Sequence, residues 1–503
     1  MGHTSKTLDS SVALTRLMYA LMPSICGLAL ARLGLVITTY GSYRSTDAGA
    51  LTDGTTLVGL VMCVLIVFYF HHTRKLLNKQ TVSRITNIAI IVQAVAILVF
   101  GLIVNAGNIA GPWFYVVGSF ITCSSWLLEF FWLRRARNVT SAVAVALVFG
   151  ALILSELTLY FFALLPQGLS CILIGFIVPL QFACRTEARK HPLPEEVRQD
   201  VVPLGYFGFA ERAVDTVRLL GVLSIGIMLL SVVSGALRGF PDGNPILFTP
   251  GTRIMYLVVF TLYASFLIWR SFCGSRTIMT STIWLTLEFW GMLGLLCYSA
   301  LPESLAIGAI FTTVFNIGIV GLMWYLVIAF CSFGNLDTYY YAAAGFIVCL
   351  AMRALTRLGM LMWYPNSANS TFEELLLAAV ILVSTQIVLT QLIWLEGRAD
   401  QDEKRIKAGV KSLLGLDNVE PVDTEVVRQV LMENQIARVQ EEFQLTARET
   451  EILTMYALGK TQKIIAEELF LSTGTVHSHI KNIYAKTDLH SRQEVLDYLA
   501  KRS

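Results

Sequence analysis

Thr475, His477, Ser478, Lys481, Asn482 and Lys486 are the residues of this sequence best suited to recognition chemistry. They are donors and acceptors with no acid among them. Val476, Ile480, Ile483 and Tyr484 recur between them at helical spacing, and Ser472 or Thr473 can cap the start of the helix. The pattern predicts a helix with one apolar face and one electropositive, hydrogen-bonding edge, of the width that a DNA major groove admits. The alternative is a helical partner-binding domain that has lost DNA. The retained polar edge, opposite the apolar stripe, argues for the groove.

The flanking residues supply a frame for that helix. Thr446 and Glu449 form a capping box that starts an upstream helix, and Gly459 ends it. From Thr461 to Leu469 the spacing puts Ile464, Ile465, Ala466 and Leu469 on a buried stripe, and Phe470 and Leu471 lead into the recognition helix. A second capping box, Ser491 to Glu494, opens a last helix with Val495, Leu496 and Leu499 apolar. The expected unit is a compact four-helix domain of about sixty residues.

Leu445, Thr446, Arg448, Glu449, Gly459, Ile465, Ala466, Leu469, Ser472, Thr475, Val476, His479, Asn482, Ile483, Lys486, Ser491 and Arg492 together resemble the LuxR/NarL-type DNA-binding domain, over roughly residues 443 to 500. The resemblance implies that His477, Ser478 and Lys481 touch base edges. It implies that Thr475, Asn482 and Lys486 serve the phosphate backbone or the seating of the helix. Ile464 stands where the family commonly has Glu, and Thr487 where it commonly has Leu. The segment's charge is nearly balanced, so specific binding is expected to need a homodimer reading two half-sites a helical turn apart.

The rest of the chain is of a different kind. Its 503 residues are 55% hydrophobic and only 15% charged, and mean hydropathy is +0.64. That composition excludes an ordinary soluble protein and fits a polytopic membrane protein; the net charge of +3 says little about partners. About twelve apolar segments of about twenty residues run from 17 to 395, each long enough to cross a bilayer as a helix. No cleavable signal peptide is evident. The nine cysteines lie in or beside apolar segments without Cys-x-x-Cys spacing, and read as small buried hydrophobes rather than metal ligands.

Connections assigned to the cytoplasm carry Arg74, Lys75, Lys79, Arg84, Arg134, Arg135, Arg137, Arg185, Arg189, Lys190, Arg198, Arg212, Arg270 and Arg276, against Arg44, Arg238 and Arg253 outside. This bias puts both termini in the cytoplasm of a cell's inner membrane, where a DNA reader must be. The connection from Ser332 to Asp337 has no cation and says nothing about orientation. A polar stretch, Arg185 to Arg218, separates two six-span halves (about 12–184 and 217–396). By topology alone the layout resembles the major facilitator fold. The connection from His71 to Arg84 lacks the Gly and Asp of the facilitator signature, and no repeat between the halves is evident in the sequence.

Ionisable groups inside spans are costly and mark function or pairing. Glu288, Arg353 and Arg357 lie at or near mid-depth, with Asn316 central in its span, Arg32 in the first span and Glu156 toward the outer end of the fifth. One reading is a ligand cavity in which Arg353 and Arg357 meet an anionic group while Glu288 or Asn316 orients it. The other is a structural Glu288–Arg353 ion pair with Arg357 snorkelling outward. Glu129 is expected to belong to the interface near Arg134.

Residues 397–442 form a linker. After the last span, Glu396 to Leu416 is either an amphipathic helix on the inner leaflet or a solvated helix, and Asp423 to Glu442 is a short helix that can pair two chains. The expected whole is all-α: a polytopic bundle over residues 1–396 and a DNA-binding domain over 443–503. No nucleophile–base set, phosphate loop, metal site or cofactor site is evident, so no enzyme is expected. The combination resembles membrane-anchored LuxR-type regulators of bacteria that join a twelve-span domain to such a reader. It implies DNA, the lipid bilayer and an unidentified small-molecule ligand as partners. The runner-up is a secondary transporter that also regulates transcription.

Overall fold

The structure is a computed structural model that describes residues 3–40, 46–107, 112–192, 217–237, 248–273, 278–301, 304–334, 336–363 and 373–392, and, toward the C-terminus, 436, 439–440, 442–443, 445–457, 462–469, 471–487, 494 and 498. The long connection between the halves beyond residue 192, the proposed linker helices up to residue 435, Gly459, and Ser491 to Gln493 of the second capping box lie outside the described residues. The chain divides into two compact units, Met1–Leu395 and Glu396–Ser503.

The first unit is a multi-pass membrane bundle. Among the described residues, twelve helices are long and apolar enough to cross a membrane: α1 Arg16–Thr38, α2 Asp53–Thr73, α3 Lys79–Asn105, α4 Pro112–Arg135, α5 Ser141–Ala163, α6 Gln167–Lys190, α7 Leu219–Ala236, α8 Pro250–Phe272, α9 Ile278–Ala300, α10 Leu305–Phe333, α11 Thr338–Met360 and α12 Glu373–Leu392. Three of them are irregular. Pro179 tightens α6 at Val178–Leu180. Wider turns open α9 at Ile278–Thr282 and interrupt α11 at Ile347–Ala351.

The packing repeats although the sequence does not. In the first half α1 packs on α4, α5 and α6, α3 on α4 and α6, and α2 on α4. In the second, α7 packs on α10 and α11, α9 on α10, and α8 on α10. Ser384 of α12 donates to the Gly226 carbonyl of α7 at 2.8 Å, and a side chain at Gly291 of α9 would touch Ile381 of α12. Under this correspondence α5 matches α11 and α2 matches α8. The two strongest crossings between halves, α5 on α8 and α2 on α11, therefore exchange with each other. Close approach is bought with glycine: a Cβ on Gly235 would lie 2.5 Å from the Arg353 carbonyl oxygen, so α7 and α11 meet backbone to backbone.

The second unit contains α13 Ala447–Ala457, α14 Gln462–Glu468 and α15 Thr473–Thr487. Its core joins Leu445, Ile452, Leu453, Ile465, Ala466, Leu469, Val476, Ile480 and Ile483 with Ile436 and Val439 from upstream. Ile436 and Val439 are thus committed to this core. Ile464 departs from expectation: it is 42% exposed, because Ile465 and Ala466 take the inward positions of so short a helix.

Candidate nucleic-acid interface and buried polar groups

The helix-turn-helix is built from its termini inward. Thr446 donates through its amide to Glu449 Oε2 at 2.9 Å, and the Glu449 amide donates to Thr446 Oγ1 at 3.3 Å, so the expected capping box is formed. Arg448 of α13 reaches the Leu469 carbonyl at 2.8 Å, fixing the end of α14. A turn only a few residues long follows, in which Leu471 donates to the Ala466 carbonyl at 2.8 Å. Ser472 then caps α15, its hydroxyl accepting from the Thr475 amide at 3.0 Å.

Val476, Ile480 and Ile483 of α15 face the core. Tyr484 is half-buried, its hydroxyl 3.0 Å from that of Tyr456 on α13. Thr475, His477, Ser478, Lys481 and Asn482 are exposed. His477, Ser478 and Lys481 fall on one face at offsets that let them point together into a groove. Ser478 shares its hydroxyl with the Gly474 carbonyl at 3.1 Å, and Thr475 lies on the Ser472 cap at 2.7 Å.

Lys486 is engaged within the domain. Its ammonium lies 2.6 Å from Glu449 Oε2, and this pins the C-terminal end of α15 to the start of α13. Burial works to raise the Glu449 carboxyl, but the hydrogen bonds from Lys486 and Thr446 outweigh it and hold the group below its ordinary value. Thr487 is buried and spends its hydroxyl on the Ile483 carbonyl at 2.8 Å, the local bond that lets a polar side chain stand where the family has Leu.

In the membrane unit Arg353 pairs differently from the Glu288–Arg353 reading. Arg353 donates to Asn316 Oδ1 at 3.1 Å, and Ser234 donates to the same oxygen at 2.8 Å. Arg357 is 0% exposed and so does not snorkel. Asp53, a residue that the sequence reading passed over at the very start of α2, is buried near both Arg353 and Arg357, within reach of their charges. No ion pair joins Glu288 to Arg353 among the described residues, and one Glu288 carboxylate oxygen is buried without a hydrogen-bond partner. Helix adjacency decides this, and hydropathy does not encode adjacency.

Arg32 of α1 forms an ion pair with Glu156 of α5 at 2.6 Å and donates to Ser155 at 2.6 Å. Tyr256 of α8 donates to the other Glu156 oxygen at 3.2 Å, carrying the network into the second half. Glu129 is buried close enough to Arg32 for their charges to interact, not at the interface beside Arg134. Its place on α4 turns it toward α1, which the spacing from Arg134 along one helix does not reveal. Gln93, Ser125, Gln181 and Trp132 form a second chain, with Gln93 Nε2 on Ser125 at 2.8 Å, Gln181 Nε2 on Gln93 at 3.0 Å and Trp132 Nε1 on Gln181 at 3.2 Å.

At the end of the bundle where α4 finishes and α11 begins, Arg134 grips both oxygens of Asp337, at 3.0 and 2.9 Å. Asp337 also accepts from the Leu77 amide at 2.9 Å and from the Tyr339 amide at 3.1 Å, and Arg134 donates to the Leu77 carbonyl at 3.1 Å. The connection from Ser332 to Asp337, mute about orientation, thus fastens the two halves together.

Residues 444–499 match the family model described as bacterial regulatory proteins, luxR family. The chain is 50% identical over 54 residues to the transcriptional regulatory protein LiaR of Bacillus subtilis (strain 168), which is 11% of this chain and 26% of that protein. It is 34% identical over 119 residues to the uncharacterized transcriptional regulatory protein YvfU of the same organism, 22% of this chain and 58% of that protein. It is 45% identical over 58 residues to the oxygen regulatory protein NreC of Staphylococcus haemolyticus (strain JCSC1435), 12% of this chain and 27% of that protein. The chain therefore spans between about a quarter and three fifths of these relatives' lengths. A solved structure of a major facilitator proton:xylose symporter, XylE bound to 6-bromo-6-deoxy-D-glucose, aligns at a TM-score of 0.45 and 13% identity, over 75% of this chain and 95% of that one. Family model, relatives and geometry agree on one segment: residues 444–499 are a helix-turn-helix domain of the luxR family of bacterial regulatory proteins.

Proposed function

We propose that the protein is a one-component, membrane-bound transcription regulator, in which a ligand taken up by the membrane unit alters DNA binding by the luxR-type domain. The observation that carries this is the solvent-facing edge of α15, whose Thr475, His477, Ser478, Lys481 and Asn482 stand clear of the core, on a chain that also contains twelve apolar helices. His477, Ser478 and Lys481 read bases, Thr475 and Asn482 hold phosphates, and Lys486 keeps the helix in register. The protein sits in the cytoplasmic membrane with both termini inside and acts as a homodimer on paired half-sites. Its ligand carries an anionic group that meets Arg353 and Arg357, with Asn316 or Glu288 orienting it. Mapping the genomic fragments bound by the intact protein, with and without candidate metabolites, tests the reading. Occupancy that no metabolite changes, or no bound fragment at all, rejects it.

The transporter reading has one observation in its favour, the repeated helix pairing of the two halves around buried charged residues. Gradient-driven, saturable uptake by proteoliposomes of the full chain would establish transport alongside regulation.

A further inference from the structure

Where α3 begins and α4 and α6 end on the cation-rich face of the bundle there is a cavity of about 450 Å³ whose ionisable lining, among the described residues, is Lys79, Arg134, Arg135, Arg137, Arg185 and Arg189, with no carboxylate among them. Among the described residues, Arg134 is the one of these cations in an ion pair, with Asp337. The remaining cations repel one another unless an anion lies among them.

The cavity is ordered for such an anion. Arg185 is buried, held by hydrogen bonds to Asn87 and to Ser83, the latter at 2.5 Å, and lies over the Phe131 ring at 5.6 Å. Its Nε, and that of Arg135, are buried with no hydrogen-bond partner. The first turn of α3 contributes Lys79, Val82 and Ser83 to the wall, and it has neither an acidic residue nor a side-chain cap on its amides. A helix N-terminus in that condition attracts phosphate oxygens. Several guanidinium groups and a volume well beyond that of a single small ion call for a multivalent ligand.

We propose that this cavity binds a phosphate-bearing polyanion, either the headgroup of an anionic phospholipid or a soluble phosphate ester. The inference does not rest on the regulatory reading. Exposed apolar side chains of α3 and α6, such as Ile88, Ile91 and Phe182, lie farther along the same helices, so a bound headgroup has a surface for its acyl chains.

The test uses full-length protein in phosphatidylcholine nanodiscs, titrated calorimetrically with inorganic pyrophosphate, and in parallel nanodiscs doped with cardiolipin, with retained lipid read by native mass spectrometry. The variant K79Q/R137Q/R189Q removes three exposed cations; a matched control, K75Q/R84Q/K190Q, removes three outside the cavity. The expected result is binding weakened about tenfold or more by the first variant and little by the second. Pyrophosphate binding that cardiolipin does not compete with assigns the site to a soluble ester; cardiolipin retained by the wild type, lost in the cavity variant and displaced by pyrophosphate assigns it to lipid. Should the triple variant fail to fold, Arg189→Gln alone takes its place. A further protein, E195Q/E196Q, removes two carboxylates from the sequence that follows Pro192, as a control for competition by the chain's own acidic groups. If neither probe binds to the wild type or to E195Q/E196Q, or if the two charge variants weaken binding equally, the proposal is overturned.

Discussion

Lys481 is exposed on the edge of α15, one helical turn beyond His477, and among the described residues it is in no ion pair. Its replacement by alanine is expected to weaken specific DNA binding by about 1 to 3 kcal/mol without changing the domain's melting behaviour. A gel-shift titration in which Lys481→Ala matches the wild type on every bound fragment would remove it from the interface. Glu449 is the opposite kind of residue: one of its oxygens receives Lys486, the Thr446 amide and the Thr446 hydroxyl. Its carboxyl is held below the ordinary value in the folded state, so it contributes stability that is full above the unfolded pKa of about 4.3 and fades as pH falls through the folded value. Hydrogen exchange of the α13 amides in the full chain should quicken at low pH. Glu449→Gln should quicken it at neutral pH and flatten the acid dependence, at a cost of about 1 to 2 kcal/mol. Retained protection in that variant contradicts the argument. At this scale the sequence was informative for α15, because groove-facing and core-facing residues alternate on a helix of known period. It was misleading for Ile464, whose apolar character says nothing about which side of a two-turn helix reaches the core.

Helix existence in the membrane unit was readable because bilayer thickness fixes a length and an apolar composition. Helix pairing was not. Lipid-facing and protein-facing surfaces are both apolar, and interfaces are set by small residues and scattered polar ties rather than by a hydrophobic stripe. Arg32 and Glu156 were each visible as charges in a span, yet only the contact of α1 with α5 makes them partners. Arg32→Met should leave the buried Glu156 without its cationic partner and cost about 3 to 5 kcal/mol, while Arg32→Met with Glu156→Gln should recover part of the loss. Thermal unfolding in detergent compares them, and a double variant as unstable as the single one would remove the pair from the account. The α7–α11 contact offers a second check. Gly235→Ala drives a methyl into the Arg353 carbonyl, so it should separate these helices and destabilise the unit by about 1 to 3 kcal/mol. An unchanged melting temperature for Gly235→Ala would mean that the two backbones are not in contact.

For the molecule as a whole, Asp337 is a principal tie between the halves of the membrane unit at one end, where the Asn138 amide also donates to Ser332 at 3.2 Å. Asp337 collects Arg134 from the first half and the Leu77 amide from the connection between α2 and α3, while its own half uses it to cap α11. Asp337→Asn keeps the cap but gives up the charge. It should widen the separation between spin labels placed at residues 75 and 340, measured by pulsed electron resonance, and an unchanged distance distribution would show that the strap is not what closes this end. Arg134 also lines the cationic cavity, so one guanidinium answers to two masters. An anion that draws on Arg134 slackens its hold on Asp337, and by reciprocity any event that prises the halves apart sharpens the cavity's grip on its guest by the same factor.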